Sequence, residues 1–350
     1  MSERIPAGIL GATGMVGQQF IKFLKGHPWF DVTWLGASDR SAGKPYREAT
    51  SWRLDGPMPE YVRDIVVSDS KPEGAPTLMF SAMDASVATE IERAFAQAGS
   101  IIVSNSRNHR MEPDVPLLVP EVNAEHLSLL TEQSRARGWQ GAIVTNPNCS
   151  TIVLTMALGP IKRFGIRRVI VTTMQAISGA GYPGVASMDI NANVVPYIGG
   201  EEEKMERETQ KILGDFVDAR IEPLAARVSA QCNRVPVVDG HLISVSVELE
   251  QKASEVELIG AIRGFRGEPQ RKGLPSAPPC PVIYMEEADR PQPRRDVERE
   301  NGMAVFVGRL RKCPVLDYKF IALGHNTVRG AAGAAVLNAE LMHVEGWLSQ

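Results

Sequence analysis

One cysteine, Cys149, stands at a position where its thiol could act as a nucleophile. Residues 141–155 read as an apolar strand, then Asn-Pro-Asn, then an apolar helix that starts at the cysteine. At a helix N-terminus, the unpaired backbone N–H groups and the partial positive charge favour a thiolate and can stabilise an oxyanion formed by attack on a carbonyl. This position predicts a lowered thiol pKa and an acyl-carrying cysteine, with an inert buried cysteine as the alternative.

A nucleophilic cysteine needs a partner that moves protons, and His241 is the histidine best placed for this role. It follows residues 233–240 at the start of a predicted strand, and Arg234 in that stretch offers a planar pair of donors for a carboxylate. An imidazole exchanges protons near neutral pH, although a histidine at a strand start is also compatible with a structural role. Gln175 ends another predicted strand, just before the glycine-rich turn 178–184, and is a further polar candidate.

Charged residues in two other segments could bind a substrate. Arg107 and Arg110 lie in a polar loop after a strand of the N-terminal half, and either could hold a phosphate. Glu202 and Lys204 lie in the first turn of a predicted amphipathic helix, where they could bind an amine and an anion. A solvated, charged first turn is the alternative there.

The N-terminus carries a glycine pattern typical of dinucleotide binding. A short strand at 4–10 runs into Gly-Ala-Thr-Gly-Met-Val-Gly and then into a helix. Gly11 permits the tight turn, Gly14 lets the backbone approach a pyrophosphate, and Gly17 allows close packing of helix on strand. The spacing differs from the commoner G-x-G-x-x-G, so a glycine turn of an ordinary parallel α/β unit is the alternative. The residues expected to contact the cofactor are Gly11, Thr13, Gly14, Met15, Val16 and Gly17.

The loop after the second strand favours NADP over NAD. Asp39 could accept a ribose 2′-hydroxyl, but its neighbours are donors suited to a 2′-phosphate. These donors are Ser38, Arg40, Ser41 and Lys44.

Length and composition limit the function classes. With 350 residues the chain is long for one hydrophobic core, so two domains are expected. A formal net charge of -3 without a basic stripe argues against a nucleic-acid partner, and no apolar run reaches the roughly 20 residues that cross a bilayer. The N-terminus lacks a signal-peptide core, and the four cysteines are widely spaced without a metal-ligand pattern. We therefore expect a cytoplasmic protein with no metal site.

The order of predicted elements indicates two domains of different architecture. Up to residue 148, apolar strands alternate with helices, which is typical of a parallel sheet covered by helices. Later strands have few intervening helices and indicate an α+β domain with a mixed sheet. We predict a Rossmann-like, NADP-binding domain over 1–148, completed by a C-terminal helix at 327–350, and a catalytic and oligomerisation domain over 149–326. The proline-rich stretch 268–295 is expected to be a surface excursion, solvated or lying on a partner subunit.

Together these motifs resemble those of aspartate-β-semialdehyde dehydrogenases, in particular the branch found in archaea, fungi and some bacteria. The resemblance spans essentially the whole chain, and the order of its motifs makes it specific. The segments that carry it are G-A-T-G-M-V-G at 11–17, A-S-D-R-S-A-G at 37–43, N-P-N-C-S-T at 146–151, Q-A-I-S-G-A-G at 175–181, G-E-E-E-K-M at 200–205, R-V-P-V-V-D-G-H at 234–241 and H-N-T-V-R-G-A-A-G at 325–333.

The resemblance implies a role for each matching residue. Cys149 would carry the acyl group, His241 would be the acid/base and Gln175 would orient the reacting group. Arg234 would bind the substrate α-carboxylate, and Glu202, within the run of glutamates 201–203, its amino group. The implied phosphate ligands are Arg110 and Lys204. The further implied cofactor contacts are Ser38, Arg40, Ser178, Gly179 and Asn326.

The implied reaction is the NADPH-dependent reductive dephosphorylation of L-aspartyl 4-phosphate to L-aspartate 4-semialdehyde, on the route to lysine, methionine and threonine. The implied assembly is a homodimer or a homotetramer. A malonyl-CoA reductase would share the cysteine, histidine and cofactor but would need no group to bind an α-amine. A non-catalytic dinucleotide-binding regulator would give the cysteine no role. The intact set of polar residues and the glutamate run favour the amino-acid substrate over both alternatives.

Overall fold

The computed structural model describes residues 4–348. Six strands from the first part of the chain form one sheet: β1 (Ile5–Leu10), β2 (Phe30–Ala37), β3 (Ser68–Asp69), β4 (Leu78–Ser81), β5 (Ile101–Ser104) and β6 (Ala142–Thr145). Their order across the sheet is β3-β2-β1-β4-β5-β6, and all the neighbouring pairs are parallel. This order reverses between β1 and β4, which is the point where dinucleotides bind in Rossmann folds.

The helices of this first part connect the parallel strands. They are α1 (Met15–Phe23), α2 (Tyr46–Ala49), α3 (Glu60–Arg63), α4 (Ala85–Gln97), α5 (Pro120–Asn123) and α6 (Leu129–Arg137), with a 3-10 turn at Ala124–Ser128. The central strands β4 and β5 are buried at every position, because helices cover both sheet faces.

The second part of the chain forms a mixed sheet. Its strands are β7 (Ile166–Gln175), β8 (Asp215–Val217), β9 (Arg220–Glu222), β10 (Arg227–Arg234), β11 (His241–Leu249), β12 (Val282–Met285), β13 (Val305–Lys312) and β14 (Tyr318–Gly324). The order is β10-β7-β11-β14-β13-β12, while β8 and β9 pair as a separate hairpin. The two outer pairs are parallel and the inner pairs antiparallel.

The helices of the second part are α7 (Cys149–Leu158), α8 (Ser187–Ile190), α9 (Glu201–Ile212), α10 (Glu255–Gly264), α11 (Glu268–Arg271) and α12 (Pro293–Asp296), with 3-10 turns at Gly159–Phe164, Ile177–Ala180 and Arg299–Gly302. Of these, α7, α9 and α10 pack against strands of the mixed sheet, whereas α11 packs against α5. Burial alternates along β11, because one side of the strand packs under α7 and the other faces outward. On the outward face, Ile170 of β7 remains 47% exposed.

The chain returns to the first sheet at its end. A π-helical turn, Val328–Ala332, leads into α13 (Gly333–Val344). Residues of α13 such as Val336 and Leu337 are buried in the same apolar cluster as Ile9 of β1. Residues 1–3 of the predicted first domain and 349–350 of the predicted C-terminal helix lie outside the described part of the chain.

Several elements differ from the sequence expectations. The stretch 268–295 is more than a surface excursion, because it contains β12, which pairs in parallel with β13 at the edge of the mixed sheet. β10 forms the opposite edge and was also missed, because its alternating polar residues give a weak hydrophobic signal. The expected family architecture, a Rossmann-like domain followed by a domain with a mixed sheet, is confirmed.

Candidate active site

The thiol of Cys149 lies at the N-terminus of α7, as the sequence predicts. Asn148 caps this helix, because its Oδ1 accepts the N–H groups of Ser150 at 2.9 Å and Thr151 at 3.2 Å. The cap satisfies two of the N–H groups that have no partner within the helix. It thereby defines the first turn of α7 and the direction of the thiol.

Burial has the largest effect on this thiol. Together with the nearby carboxylate of Glu201, it raises the pKa of Cys149 to about 12. The guanidinium groups of Arg110 and Arg234 and the N–H of Ser150 act in the opposite direction but do not outweigh the lost solvation. The lowered pKa expected from the helix start is therefore wrong, because a local dipole does not compensate for burying a charge.

The imidazole of His241 is in direct contact with the thiol, with Nε2 lying 3.2 Å from Sγ. The backbone N–H of Ala176 donates to Nδ1 at 3.1 Å, which assigns the ring proton of the neutral imidazole to Nε2. Burial, with Arg234 and His325 nearby, lowers the pKa of His241 to about 3. The ring is therefore neutral near pH 7 and presents its Nε2–H to the sulfur side of the site.

Three neighbouring strands bring the polar candidates together at the same end of the mixed sheet, where β7 and β10 end and β11 begins. β7 and β10 are parallel, and their last residues, Gln175 and Arg234, are paired in register. β11 runs antiparallel to β7 and begins at His241, which pairs with Gly324 at the end of β14. The Nε2 of Gln175 is buried and has no hydrogen-bond partner within residues 4–348, so this amide donor is available to an oxygen of a ligand.

The buried guanidinium of Arg234 packs against the glycine-rich turn. Its Nη1 donates to the carbonyl of Ala176 at 2.7 Å. A Cβ atom on Gly179 would lie 2.7 Å from that Nη1 and 3.0 Å from Cε1 of His241. A side chain at position 179 would therefore displace both functional groups, which explains the glycine in this part of the motif.

Helix α9 directs Glu201 and Lys204 towards the nucleophile. The two oxygens of Glu201 accept Nδ2 of Asn148 at 2.7 Å and Nζ of Lys204 at 3.1 Å. Glu202 is turned by about 100° around the helix axis, and its Oε1 accepts the N–H of Cys232 on edge strand β10 at 2.9 Å. The structure thus places Glu201 beside Cys149, with Lys204 ion-paired to Glu201, whereas the carboxylate of Glu202 faces the sheet edge.

Arg110 reaches the site from the first domain. It lies in the loop after β5, where its Nη2 donates to the carbonyl of Asn105 at 2.7 Å and its Nη1 to Oε1 of Glu208 at 2.9 Å. The second oxygen of Glu208 accepts the N–H of Asn148 at 2.7 Å. Arg110 and the residue before the nucleophile therefore share one buried carboxylate.

The glycine turn after β1 has the geometry expected from the motif. Gly11 has a positive φ of 72°, and a Cβ atom there would lie 2.6 Å from the carbonyl oxygen of Ala82 after β4. A Cβ atom on Gly17 would lie 2.4 Å from the carbonyl oxygen of Gly11. Both positions therefore require glycine. The absence of side chains there allows the start of α1 to lie close to the crevice between β1 and β4. Thr13, Gly14, Met15 and Val16 form the intervening turn and the first residues of α1.

The remaining cofactor candidates form two groups. Ser38 and Arg40 are exposed in the turn after β2, and Ser41 donates weakly to the carbonyl of Ala49 at 3.4 Å. The second group lies at the glycine-rich turn 178–184, where Nδ2 of Asn326 donates to Oγ of Ser178 at 2.8 Å.

A cavity of 730 Å³ lies between the two domains on the side of the glycine turn, and neither Cys149 nor His241 is among its lining residues. Its lining includes Met15 of the glycine turn, Ser178 and Thr327. Within residues 4–348 there is no cluster of three or more residues able to hold a metal ion. Across the same described range, no helix combines the length and apolar character needed to cross a membrane.

Comparisons with known proteins identify the family of this chain. The family model "Semialdehyde dehydrogenase, NAD binding domain" matches residues 6–130, and "Semialdehyde dehydrogenase, dimerisation domain" matches 158–329. The aspartate-semialdehyde dehydrogenase of Methanothermobacter thermautotrophicus is 53% identical, covering 97% of this chain and 99% of that protein. The chain belongs to the aspartate-semialdehyde dehydrogenase family.

Other members of the aspartate-semialdehyde dehydrogenase family extend the comparison. The Schizosaccharomyces pombe enzyme is 48% identical, covering 97% of this chain and 98% of that one. The solved structure of the Candida albicans enzyme with NADP has a TM-score of 0.91 and 43% identity, covering 98% and 99% of the two chains. The expected family is confirmed, the two alternative functions are not favoured, and the dimerisation domain supports an oligomer.

Glu208 and Asn148 were not among the residues predicted from the sequence, and Glu201 entered there only as a member of the glutamate run 201–203. Glu201 and Glu208 share with Lys204 the helical spacing i, i+3, i+7, which places all three on one face of α9. That spacing was a usable signal, because the motif already singled out Lys204. Asn148 was visible only as a helix-cap residue next to Cys149, and its contacts with Glu201 and Glu208 depend on the tertiary structure.

Proposed function

We propose that this protein catalyses the NADPH-dependent reductive dephosphorylation of L-aspartyl 4-phosphate to L-aspartate 4-semialdehyde through a thioester on Cys149. The observation that carries the proposal is the 3.2 Å contact between Sγ of Cys149 and Nε2 of His241, with Arg110 and Arg234 close to the sulfur. A cysteine paired with a histidine and surrounded by cations suits attack on an anionic acyl phosphate.

The residues present fit an NADP cofactor. A Cβ atom on Gly14 would meet only the carbonyl oxygen of Gly11, at 3.5 Å, so the turn leaves room for a pyrophosphate at the start of α1. Ser38, Arg40 and Ser41 would bind the 2′-phosphate, and Ser178, Gly179 and Asn326 would lie at the nicotinamide end. When bound, NADPH supplies the hydride. The NADP held by the Candida albicans relative supports this assignment.

The chain's own residues account for the group transfer and the proton movements. Sγ attacks the acyl carbon, the bond from this carbon to the phosphate oxygen breaks, and phosphate departs towards Arg110 and Lys204 with the electron pair and the proton of the thiol. Once the thioester carbon has been reduced, Nε2–H of His241 donates a hydrogen bond to the negatively charged oxygen and stabilises it. The C–S bond then breaks as the carbonyl re-forms, which gives the aldehyde, and the sulfur leaves as a thiolate that takes up a proton from solvent.

Substrate recognition follows from the charges around the sulfur. Arg234 would bind the α-carboxylate with its planar pair of donors, and Gln175 would orient the reacting oxygen. For the α-amino group we propose Glu201 in place of Glu202, because Glu201 contacts Asn148 and Lys204 beside the nucleophile whereas Glu202 faces β10.

We further propose that the dinucleotide binds to residues 1–148 together with 327–350, and that 149–326 carry catalysis and oligomerisation. The uncovered face of the mixed sheet, which includes Ile170, is the surface we assign to a homodimer; two such dimers would give the homotetramer. Sedimentation analysis separates the two assemblies. We propose a cytoplasmic location, because the reaction requires a reduced Cys149.

One assay tests the function. The purified protein should form NADPH from NADP, L-aspartate 4-semialdehyde and phosphate, and omission of phosphate should abolish this activity. A Cys149→Ala variant should bind NADP but give no turnover. Reduction of malonyl-CoA by the wild-type protein, without activity on the semialdehyde, would contradict the proposal.

A further inference from the structure

Glu208 connects the phosphate side of the site to the nucleophile. Its side chain is buried, with a relative exposure of 2% for the residue, and its two oxygens contact different functional groups. Oε1 accepts Nη1 of Arg110 at 2.9 Å, and Oε2 accepts the backbone N–H of Asn148 at 2.7 Å. We propose that Glu208 is a positioning residue that holds the guanidinium of Arg110 at a defined distance from Cys149. This inference rests on the proposed function.

A carboxylate suits this position because both of its neighbours are donors. An amide has one acceptor oxygen, so a glutamine would present its own N–H₂ group to either Arg110 or Asn148. Arg110 has one other anchored nitrogen, Nη2 on the carbonyl of Asn105, while its buried Nε has no partner within residues 4–348. Glu208 is therefore the charged group that sets the orientation of the guanidinium plane.

The same helix also holds the backbone of the loop that carries Arg110. Lys211 lies one turn after Glu208, and its Nζ donates to the carbonyls of Arg110, Glu112 and Val115 at 2.8 Å each. The loop from the first domain thus follows α9 of the second domain. Lys211 fixes the position of the loop backbone, whereas Glu208 directs the side chain that would meet the phosphate.

The test compares Glu208→Gln with Glu206→Gln, a matched variant on the same helix. Glu206 is half-buried and also accepts a backbone N–H, that of Ala230 on β10 at 3.0 Å, but it faces the sheet edge. In phosphate-dependent NADP reduction, Glu208→Gln should raise KM for phosphate by about tenfold or more, the factor typical for a lost hydrogen bond to a charged group. The KM for NADP should stay unchanged. Glu206→Gln should retain the wild-type KM for phosphate.

A measurement without turnover separates positioning from general loss of structure. Inorganic phosphate should protect Cys149 from alkylation by iodoacetamide, and in Glu208→Gln the protection should require about tenfold more phosphate. Glu208→Asp keeps the charge but reaches only one donor, so its phosphate requirement should lie between those of the wild type and Glu208→Gln.

Two results would overturn the inference. One is a Glu208→Gln enzyme whose KM for phosphate matches that of Glu206→Gln. The other is equal loss of NADP and phosphate binding in Glu208→Gln and Glu208→Asp, which would indicate a merely structural residue. A wild-type protein without phosphate-dependent activity would instead contradict the proposed function itself.

Discussion

Gly330 packs directly against the nucleophile: a Cβ atom on Gly330 would lie 2.6 Å from Cβ of Cys149. Gly330 belongs to the π-helical turn Val328–Ala332, and its N–H donates to the carbonyl of His325 at 2.8 Å. Such wide turns occur mostly as single-turn bulges in α-helices and are frequent at functional sites. Because Gly330 has no side chain, the backbone of this turn lies directly against Cys149, the first residue of α7. The turn therefore limits the space available to Cys149.

Gly330→Ala should therefore lower kcat by about tenfold or more, because a shift of about 1 Å in a reacting group can cost about a hundredfold. Overpacking should also reduce the free energy of unfolding by about 1–3 kcal/mol. Steady-state kinetics and thermal unfolding measure both effects. Gly260→Ala, in an exposed part of α10 with open space around the new methyl group, is the control and should keep full activity. Wild-type kcat in Gly330→Ala would contradict the contact.

The two neighbouring glutamates of α9 should give different kinetic phenotypes. Glu201→Gln weakens the charge beside Cys149 and should raise KM for the semialdehyde by about tenfold or more, because a hydrogen bond to a charged amine is lost. Glu202→Gln should leave this KM close to that of the wild type, since Glu202 contacts the N–H of Cys232. Measuring KM for both variants decides the assignment, and the reverse pattern would restore Glu202 as the amine ligand.

Replacement of Arg234 should mainly change KM, whereas replacement of His241 should mainly change kcat. Arg234→Lys keeps the charge but loses the planar pair of donors, so KM should rise strongly and kcat should fall to a smaller extent. His241→Asn removes the imidazole Nε2–H that faces the sulfur and the reacting oxygen, and it should lower kcat by about 10²–10⁴ with a modest change in KM. Both constants are measured across pH. Wild-type kcat with an unchanged pH profile in His241→Asn would identify another residue as the acid/base.

Arg40 should contribute to the choice of cofactor. It is exposed in the turn after β2, together with Ser38. Arg40→Ala should weaken NADP binding by about ten- to a hundredfold, the factor for one charge-assisted hydrogen bond, and should change NAD binding little. Titration of each dinucleotide by fluorescence tests this. An equal loss of affinity for both would show that Arg40 does not read the 2′-phosphate.

His126 should make the folded protein sensitive to acid. Nδ2 of Asn123 donates to its Nδ1 at 2.9 Å, and its Nε2 contacts the carbonyl of Gly214 in the second domain at 3.3 Å. Burial lowers the pKa of His126 from 6.5 to about 4. As the pH falls, His126 therefore binds a proton in the unfolded chain at a higher pH than it does in the folded protein. Between about pH 6.5 and 4 this residue should reduce the free energy of unfolding by about 1.4 kcal/mol per pH unit.

Comparison with His126→Asn isolates this effect. The variant should be less stable at pH 7, and the difference in unfolding free energy from the wild type should shrink as the pH is lowered towards 4.5. Denaturant unfolding at several pH values measures it. The buried His241 has the same sign of pH dependence but is present in both proteins, so its contribution cancels. A constant difference across this range would mean that His126 does not titrate differently on folding.

Local features of this protein could be predicted from the sequence. The turn after β1 needs a positive φ at Gly11 and no side chain at Gly17, and these demands are visible in the glycine spacing. The start of α7 at Cys149 follows from the asparagine cap and the apolar run after it. The order of motifs identified the family and with it the chemistry. The turn and the helix start depend on neighbours within one or two turns of the chain, whereas the family resemblance depends on the order of motifs along the whole sequence.

The features that the sequence did not reveal depend on contacts between distant segments. The edge strand β10 alternates polar and apolar residues, and the edge strand β12 is apolar but only four residues long within a proline-rich stretch. Which glutamate faces Cys149 depends on the rotation of α9 about its axis, and the link from Arg110 through Glu208 to Asn148 joins two domains. The raised thiol pKa reflects burial of the completed site, where loss of water outweighs the dipole at the helix start. The sequence by itself determined the family, the glycine turn after β1 and the start of a helix at Cys149. Only the tertiary structure decided which charges surround the sulfur, because burial and orientation arise when the two domains pack together.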